Sequence, residues 1–458
     1  MAKRVLLVWP SYKPQYRGWP PYGIGYIASY LAAREPGVRV KVIDFDMEQY
    51  SVEGWQSELI RYEPDIVGIS ILMLNAGHGM QLAQLAKKMN PRITTVIGGV
   101  SASLFPRECL KSCDIVVRGE GEETFHEIVQ GHDLDAIKGI SYARDGRVFE
   151  TPARDGMRNL DSLPFPFIDL FDMERYLGRG LRSGAVLGSR GCPYACTFCA
   201  SQQFWGRTIR FRSAKNIVDE IELLCERYRL DQMSFGDDSL NIPQKRGFEI
   251  CDEITKRGLQ NKMQFYTLAR ANSDAVSLEL FQRMKEANFT EVSLGIESAS
   301  PRVLKAMRKD LMPEEASQAI KMARKAGIST VTGNFMVGNW DESIRDILKT
   351  WRFVLSNNVE PLFWICTPYP GTEFSRRLVE HRYLDNEYSW LTDSKSGVYT
   401  VLSRTNKMSK ISIIIVYYIS VLLQITLLLL RARKFKKFGF FGKRALVETW
   451  RKVRRRTD

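Results

Sequence analysis

Histidine is scarce in this chain: four occur in 458 residues, at positions 78, 126, 132 and 381. Of its eight cysteines, five (109, 113, 225, 251 and 366) show no metal-ligand spacing, and Cys109 and Cys113 read as two buried thiols on one helix face. No apolar leader opens the chain, since Met1-Ala2-Lys3-Arg4 runs straight into a strand-like stretch. Cysteines without such a leader make a reducing, cytoplasmic compartment the expectation. A basic domain face is missing too. The formal net charge is +14, but residues 431–458 hold twelve Lys or Arg against Glu448 and Asp458, so +10 of it sits in one tail. The remainder is only mildly basic, which argues against a nucleic-acid partner. With 44% hydrophobic and 26% charged residues the composition is that of folded protein, and the length allows two or three domains.

What the chain does have is a cysteine triplet, Gly191-Cys192-Pro193-Tyr194-Ala195-Cys196-Thr197-Phe198-Cys199, just after the strand-like run Ala185–Ser189. Three thiolates are one fewer than the irons of a cubane cluster. The open corner suits a catalytic rather than an electron-storing centre, because it leaves one iron for a non-protein ligand. A zinc site and three incidental cysteines are the other readings. A closed zinc shell needs four protein ligands, and no nearby Cys or His supplies the fourth.

The C-x3-C-x2-C pattern with Phe198 before its last cysteine resembles the radical S-adenosylmethionine (SAM) superfamily. The resemblance implies that Cys192, Cys196 and Cys199 hold a [4Fe-4S] cluster whose free iron binds SAM. An electron from a donor such as flavodoxin or ferredoxin would then cleave SAM, giving methionine and a 5′-deoxyadenosyl radical that takes a hydrogen atom. From Ala185 to about Gly371, six strand-like runs alternate with helical periodicities, which predicts a partial (β/α)6 barrel within a core domain at 181–400. By resemblance, Gly236, Asp237 and Asp238 lie where the family binds the SAM ammonium. Arg270 is the candidate for the SAM carboxylate, and Glu297 and Ser298 for ribose or methionine contacts. Pro368–Thr372 matches the family's P-Y-P-G-T turn. Asn339-Trp340 replaces the usual Leu-Pro-Gly turn, and Trp340 either lines the substrate pocket or packs.

Residues 1–140 also alternate strand and helix signals, predicting an α/β domain with a doubly wound parallel sheet and ligand loops beyond its strand ends. The loops there include Pro10-Ser11-Tyr12, Asn75, Gly98-Gly99, Ser101 and Gly119-Glu120-Gly121. Pro20–Tyr26, Val96–Ala102 and Val117–Phe125 resemble the cobalamin-binding domain that precedes many radical SAM cores. The resemblance makes Asn75, Gly98, Gly99, Ser101, Gly119, Glu120 and Gly121 the expected cobalamin contacts. The D-x-H-x-x-G motif that supplies a cobalt-ligating histidine in some cobalamin proteins is absent. His78 is the one histidine in a strand-end loop, and cobalamin without a protein histidine is the expectation. A linker at 141–180, with the proline-interrupted Leu160–Phe167, joins the two domains.

In the C-terminal part, 401–458, Ile411–Leu430 is an apolar run that reaches about 30 Å as a helix, enough to cross a bilayer core. Spanning would put the basic tail opposite the cytoplasmic domains, against the positive-inside rule. Ser412, Ser420 and Gln424 give a thin polar stripe. Three placements follow: flat in the interface with the basic segment on anionic headgroups, spanning, or buried in the fold or a dimer contact. Together these features imply a cobalamin-dependent radical SAM enzyme at the inner face of the cell membrane. The expected reaction is methyl transfer to an unactivated carbon of an apolar or lipid-linked small molecule. The alternatives are a radical SAM cyclase or lipid-modifying carbon–carbon bond former, and a non-catalytic, membrane-bound cobalamin or redox sensor.

Overall fold

The computed structural model describes residues 3–10, 19–48, 51–166, 168–177, 182–387 and 404–434. Ser11, Tyr12, Phe167 and the basic segment 435–458, all drawn on above, lie outside the described residues. The first sheet contains β1 (Arg4–Trp9), β2 (Arg39–Asp44), β3 (Ile66–Ser70), β4 (Thr94–Gly98), β5 (Ile115–Val117), β6 (Ile140–Arg144) and β7 (Arg147–Glu150). Its strand order is β2-β1-β3-β4-β5-β6-β7, with the first five parallel. Side-chain alternation explains why it is covered on both faces: Val5 and Leu7 enter one apolar core, Leu6 and Val8 the other. The winding reverses between β1 and β3, and that reversal opens a crevice beyond the strand ends.

Two strands were not expected. β6 pairs antiparallel with β5, and β7 antiparallel with β6, so the first sheet extends to Glu150 and the expected boundary at 140 falls at the start of a strand. Asp145-Gly146 turns the hairpin, both residues having positive φ (52° and 74°).

The second sheet holds β8 (Ser183–Val186), β11 (Gln232–Phe235), β12 (Gln264–Arg270), β13 (Phe289–Glu297), β14 (Thr330–Val337) and β15 (Glu360–Ile365), all parallel and adjacent in that order. This is the expected partial barrel. Between β8 and β11, β9 (Ser189–Arg190) and β10 (Arg210–Phe211) form a short antiparallel pair that sets Arg190 beside Arg210.

The apolar helix, Lys410–Lys434, packs along β15 and β14. Among the described residues its stretch Lys410–Leu430 is the one helix long and apolar enough to cross a membrane. Of its polar stripe, Ser420 and Gln424 face inward, while Ser412 stays partly exposed beside Ser409. The Gln424 amide oxygen accepts from Phe363 N of the edge strand (3.3 Å), and Ser420 Oγ accepts from Trp351 Nε1 (2.9 Å). Gln424 thereby satisfies a backbone group on the strand that ends the open barrel.

Candidate active site

The cysteine loop is held from several sides. Thr197 N donates to Met307 O (2.9 Å), Phe374 N donates to Thr197 O (3.0 Å), and Cys199 N donates to Cys196 O (3.2 Å). The Arg270 guanidinium lies 3.4 Å from the centre of the Tyr194 ring, a cation–π contact inside the fold. Cys196 is buried, and Cys192 and Cys199 are partly exposed. Burial pushes the Cys199 thiol up to about 12 and raises that of Cys192. Holding these sulfurs as thiolates therefore calls for a cationic centre beside them. Among the described residues, no three His, Cys, Asp or Glu side chains converge as ligands of one ion would. A cubane asks for something else, since each thiolate takes its own iron.

A cleft of about 340 Å3 opens where the two sheets' strand ends face each other. Gly98, Gly99, Gly119, Glu120 and Gly121 line it from the first sheet, and Arg190, Gly191, Gly236 and Asp238 from the barrel, with Phe204 and Trp205. Gly99 has φ 96°, and a Cβ there would come within 2.5 Å of Ile71 O, so no other residue fits. Gly119 has φ 78° and open space where a Cβ would stand, a bare cradle on the cleft wall.

Several expected contacts do other work. Asn75 is buried, accepts from Leu72 N (2.7 Å) and donates to Pro10 O (3.0 Å); it staples two loops together and does not line the cleft. Ser101 is fully buried against the Met73 sulfur. His78 packs edge-on to Phe45 (5.2 Å) and is likewise not a lining residue. On the barrel side Asp237 is spent internally: it accepts from Gly188 N (3.1 Å) and from Ser189 Oγ, and pairs with buried Arg246 (3.0 Å). Ser298 is fully buried, its Oγ near Thr350 (3.4 Å) and accepting from Ser300 N. Arg270 is also committed, to Asn272 Oδ1 (2.9 Å) and Lys309 O (2.6 Å) as well as the Tyr194 ring. It contacts the cysteine loop at Tyr194 and is not among the residues lining the cleft. Trp340 packs against His381 and Tyr383.

Sequence reasoning named Glu297 but missed its setting, and it missed Arg190, Arg210 and Trp364 altogether. Glu297 sits at a register shift in β13 with φ 66°, a strained position for a side chain that a bulge re-aims. Its carboxylate pairs with Lys309 Nζ at 2.9 Å, both largely buried. Arg190 reaches across the two domains to Glu120 (2.8 Å) and Glu122 (2.5 Å), and Arg210 pairs with Glu120 as well. Trp364 of β15 is 45% exposed, with its indole N–H donating to Asn334 Oδ1 (3.1 Å).

The comparisons with known proteins agree with this geometry. The Radical SAM superfamily pattern matches residues 186–354, and the B12 binding domain pattern matches residues 16–129. An uncharacterized methyltransferase, PH0819, of Pyrococcus horikoshii is 33% identical over 375 residues, covering 80% of this chain and 79% of that protein. The chain belongs to the cobalamin-dependent radical SAM family. The anaerobic magnesium-protoporphyrin IX monomethyl ester cyclase of Rubrivivax gelatinosus is 30% identical over 395 residues, covering 82% of this chain and 70% of the cyclase. The structure of the cobalamin-dependent SAM radical enzyme OxsB shares the fold: TM-score 0.74 at 18% identity, over 99% of this chain and 71% of that one. Radical SAM enzymes of this group take a [4Fe-4S] cluster, SAM and cobalamin, and those are the cofactors of this chain. The sensor reading is set aside. The three thiols suit the cluster, and the bare glycine wall suits a bulky, flat ligand.

Proposed function

We propose that this radical SAM enzyme transfers a methyl group to an unactivated carbon of an apolar, lipid-like small molecule. One observation carries the reading: the glycine wall of the first domain and the residues flanking the cysteines line a single cleft. When bound, the cluster with SAM supplies an abstracting radical and cobalamin supplies the methyl group. The chain's own residues arrange the meeting. Cys192, Cys196 and Cys199 anchor the iron, Asp238 and Gly236 stand beside the loop for the SAM amino group, and Glu297 faces the sugar or methionine portion. Gly98, Gly119 and Gly121 let the corrin approach the backbone. Leu268 and Trp364, both partly exposed on barrel strands, give the substrate an apolar side. The proposed setting is the cytoplasm, with the substrate drawn from the inner face of a membrane and a flavodoxin or ferredoxin as reductant.

The similarity to a magnesium-protoporphyrin cyclase favours a second reading, ring closure without methyl donation. Anaerobic turnover with SAM carrying a deuterated methyl group separates the two. Label in the product supports transfer, whereas label confined to methionine supports cyclisation.

A further inference from the structure

We propose that the outer face of the helix Lys410–Lys434, joined by the neighbouring helix Ile344–Asn357, is a docking surface for an anionic lipid bilayer. The inference takes from the reading above only the substrate's origin; the surface itself stands on geometry.

The helix has two faces of opposite use. Ile413, Val416, Ser420, Val421, Gln424 and Leu428 are buried against the barrel. On the other side Ile411, Ile415, Ile419, Leu422, Leu429 and Leu430 stand exposed, from 44% for Ile419 to 69% for Ile411. These recur at helical spacing over about 28 Å of axis. No charge interrupts the sequence between Lys410 and Arg431. Two exposed hydroxyls lie on that side: Thr426, which donates to Leu422 O (2.8 Å), and Tyr418, whose phenol suits the polar edge of a bilayer. An apolar face of this size is costly to leave in water.

The adjacent helix continues the surface and adds a sign. Ile344, Leu348 and Leu355 are more than half exposed along one stripe, and Trp351 of the same stripe bonds to Ser420. Beside that stripe run Arg345, Lys349 and Arg352, all exposed, while the helix's single carboxylate, Asp346, is buried. Beyond the C-terminal helix, the sequence from 435 onward adds nine further Lys or Arg, with Phe438, Phe440 and Phe441 among the first of them. Apolar groups flanked by cations match acyl chains beneath anionic headgroups. A spanning orientation would pull Gln424 and Ser420 away from the partners they hold. The helix therefore lies against the bilayer with its inner face still on the barrel. Its first turns sit at the carboxyl end of β14, where Ile413 packs beside Gly338.

Vesicle co-sedimentation of the full chain tests this without reductant or substrate, so its outcome is independent of methyl transfer. Wild type is expected to pellet with phosphatidylcholine vesicles containing phosphatidylglycerol and to stay in solution with phosphatidylcholine alone at moderate salt. Ile415→Glu with Leu422→Glu should weaken binding at least tenfold, with melting temperature and iron content unchanged. Lys349→Glu with Arg352→Glu, on the other helix, should weaken it severalfold and guards against misfolding of the first pair. Equal binding by both double variants would overturn the proposal. So would a wild-type dimer that either variant splits into monomers without any vesicle binding. Resistance of the bound chain to alkaline carbonate extraction would show a spanning helix and overturn the orientation.

Discussion

The two sheets meet at one cleft but are equipped by different means. The first sheet contributes backbone: Gly98, Gly99, Gly119 and Gly121 line the wall, while Asn75 and Ser101 are used up inside the protein and Glu120 is tied to two arginines. The barrel contributes functional groups: Asp238 on the cleft wall, and three thiols and a strained carboxylate that are not among its lining residues. A large, flat ligand is recognised chiefly by shape, so its domain removes side chains. A redox centre is recognised by bonds, so its domain supplies them. Between the halves stands Arg190, two residues before Cys192, reaching back to the first domain's glutamates.

That contrast can be broken from either side. Replacing Cys192, Cys196 or Cys199 by alanine should take iron from roughly four per chain toward zero and abolish SAM cleavage, with corrin uptake retained. Iron assay and absorption spectra on the same sample read both. Gly98→Val projects a side chain into the cleft and should do the converse, weakening cobalamin uptake about tenfold or more, equivalent to ~1.4 kcal/mol, with full iron content. Loss of both cofactors in either variant would mean that the halves are not separable. Arg190→Met leaves Glu122 buried without its ion pair while Glu120 keeps Arg210, and should lower stability by about 3–5 kcal/mol in denaturant melts. A smaller loss would show that water reaches the junction.

The smallest effect concerns the barrel alone. Glu342 is buried and accepts from Gly338 N (2.7 Å), and burial raises its carboxyl from 4.5 to about 8. The folded form thus favours the protonated acid. Its contribution is whole below pH 4.5 and declines as pH rises through about 8. Glu342→Gln should therefore melt higher than the parent at pH 8, by about 2–4 °C, and the gap should close at pH 5. Equal gaps at both values would refute a neutral Glu342.

Local pattern made most of this architecture legible. Strand runs, helix periodicities and the cysteine triplet are short-range signals, and all appear where expected. The Asp145-Gly146 hairpin was equally local, but β7 is exposed along its length and lacks the apolar alternation that marks a strand. Partnerships across the chain were not legible. Nothing near Glu297 in sequence points to Lys309 as its buried partner, and nothing near Cys192 points to Glu120 and Glu122. The internal partners of Asp237 and Ser298 were illegible for the same reason. A polar residue at a strand end serves a ligand or the fold equally well, and only its partners tell. The polar stripe of the C-terminal helix was visible, but its facing depends on β15, which periodicity cannot see.

The anchoring of the cysteine loop has a last consequence. Its backbone bonds to Met307 and Phe374, and the Arg270 grip on Tyr194, involve no iron. Removal of the cluster by air is therefore expected to leave the loop's backbone in place, ready to receive a fresh one.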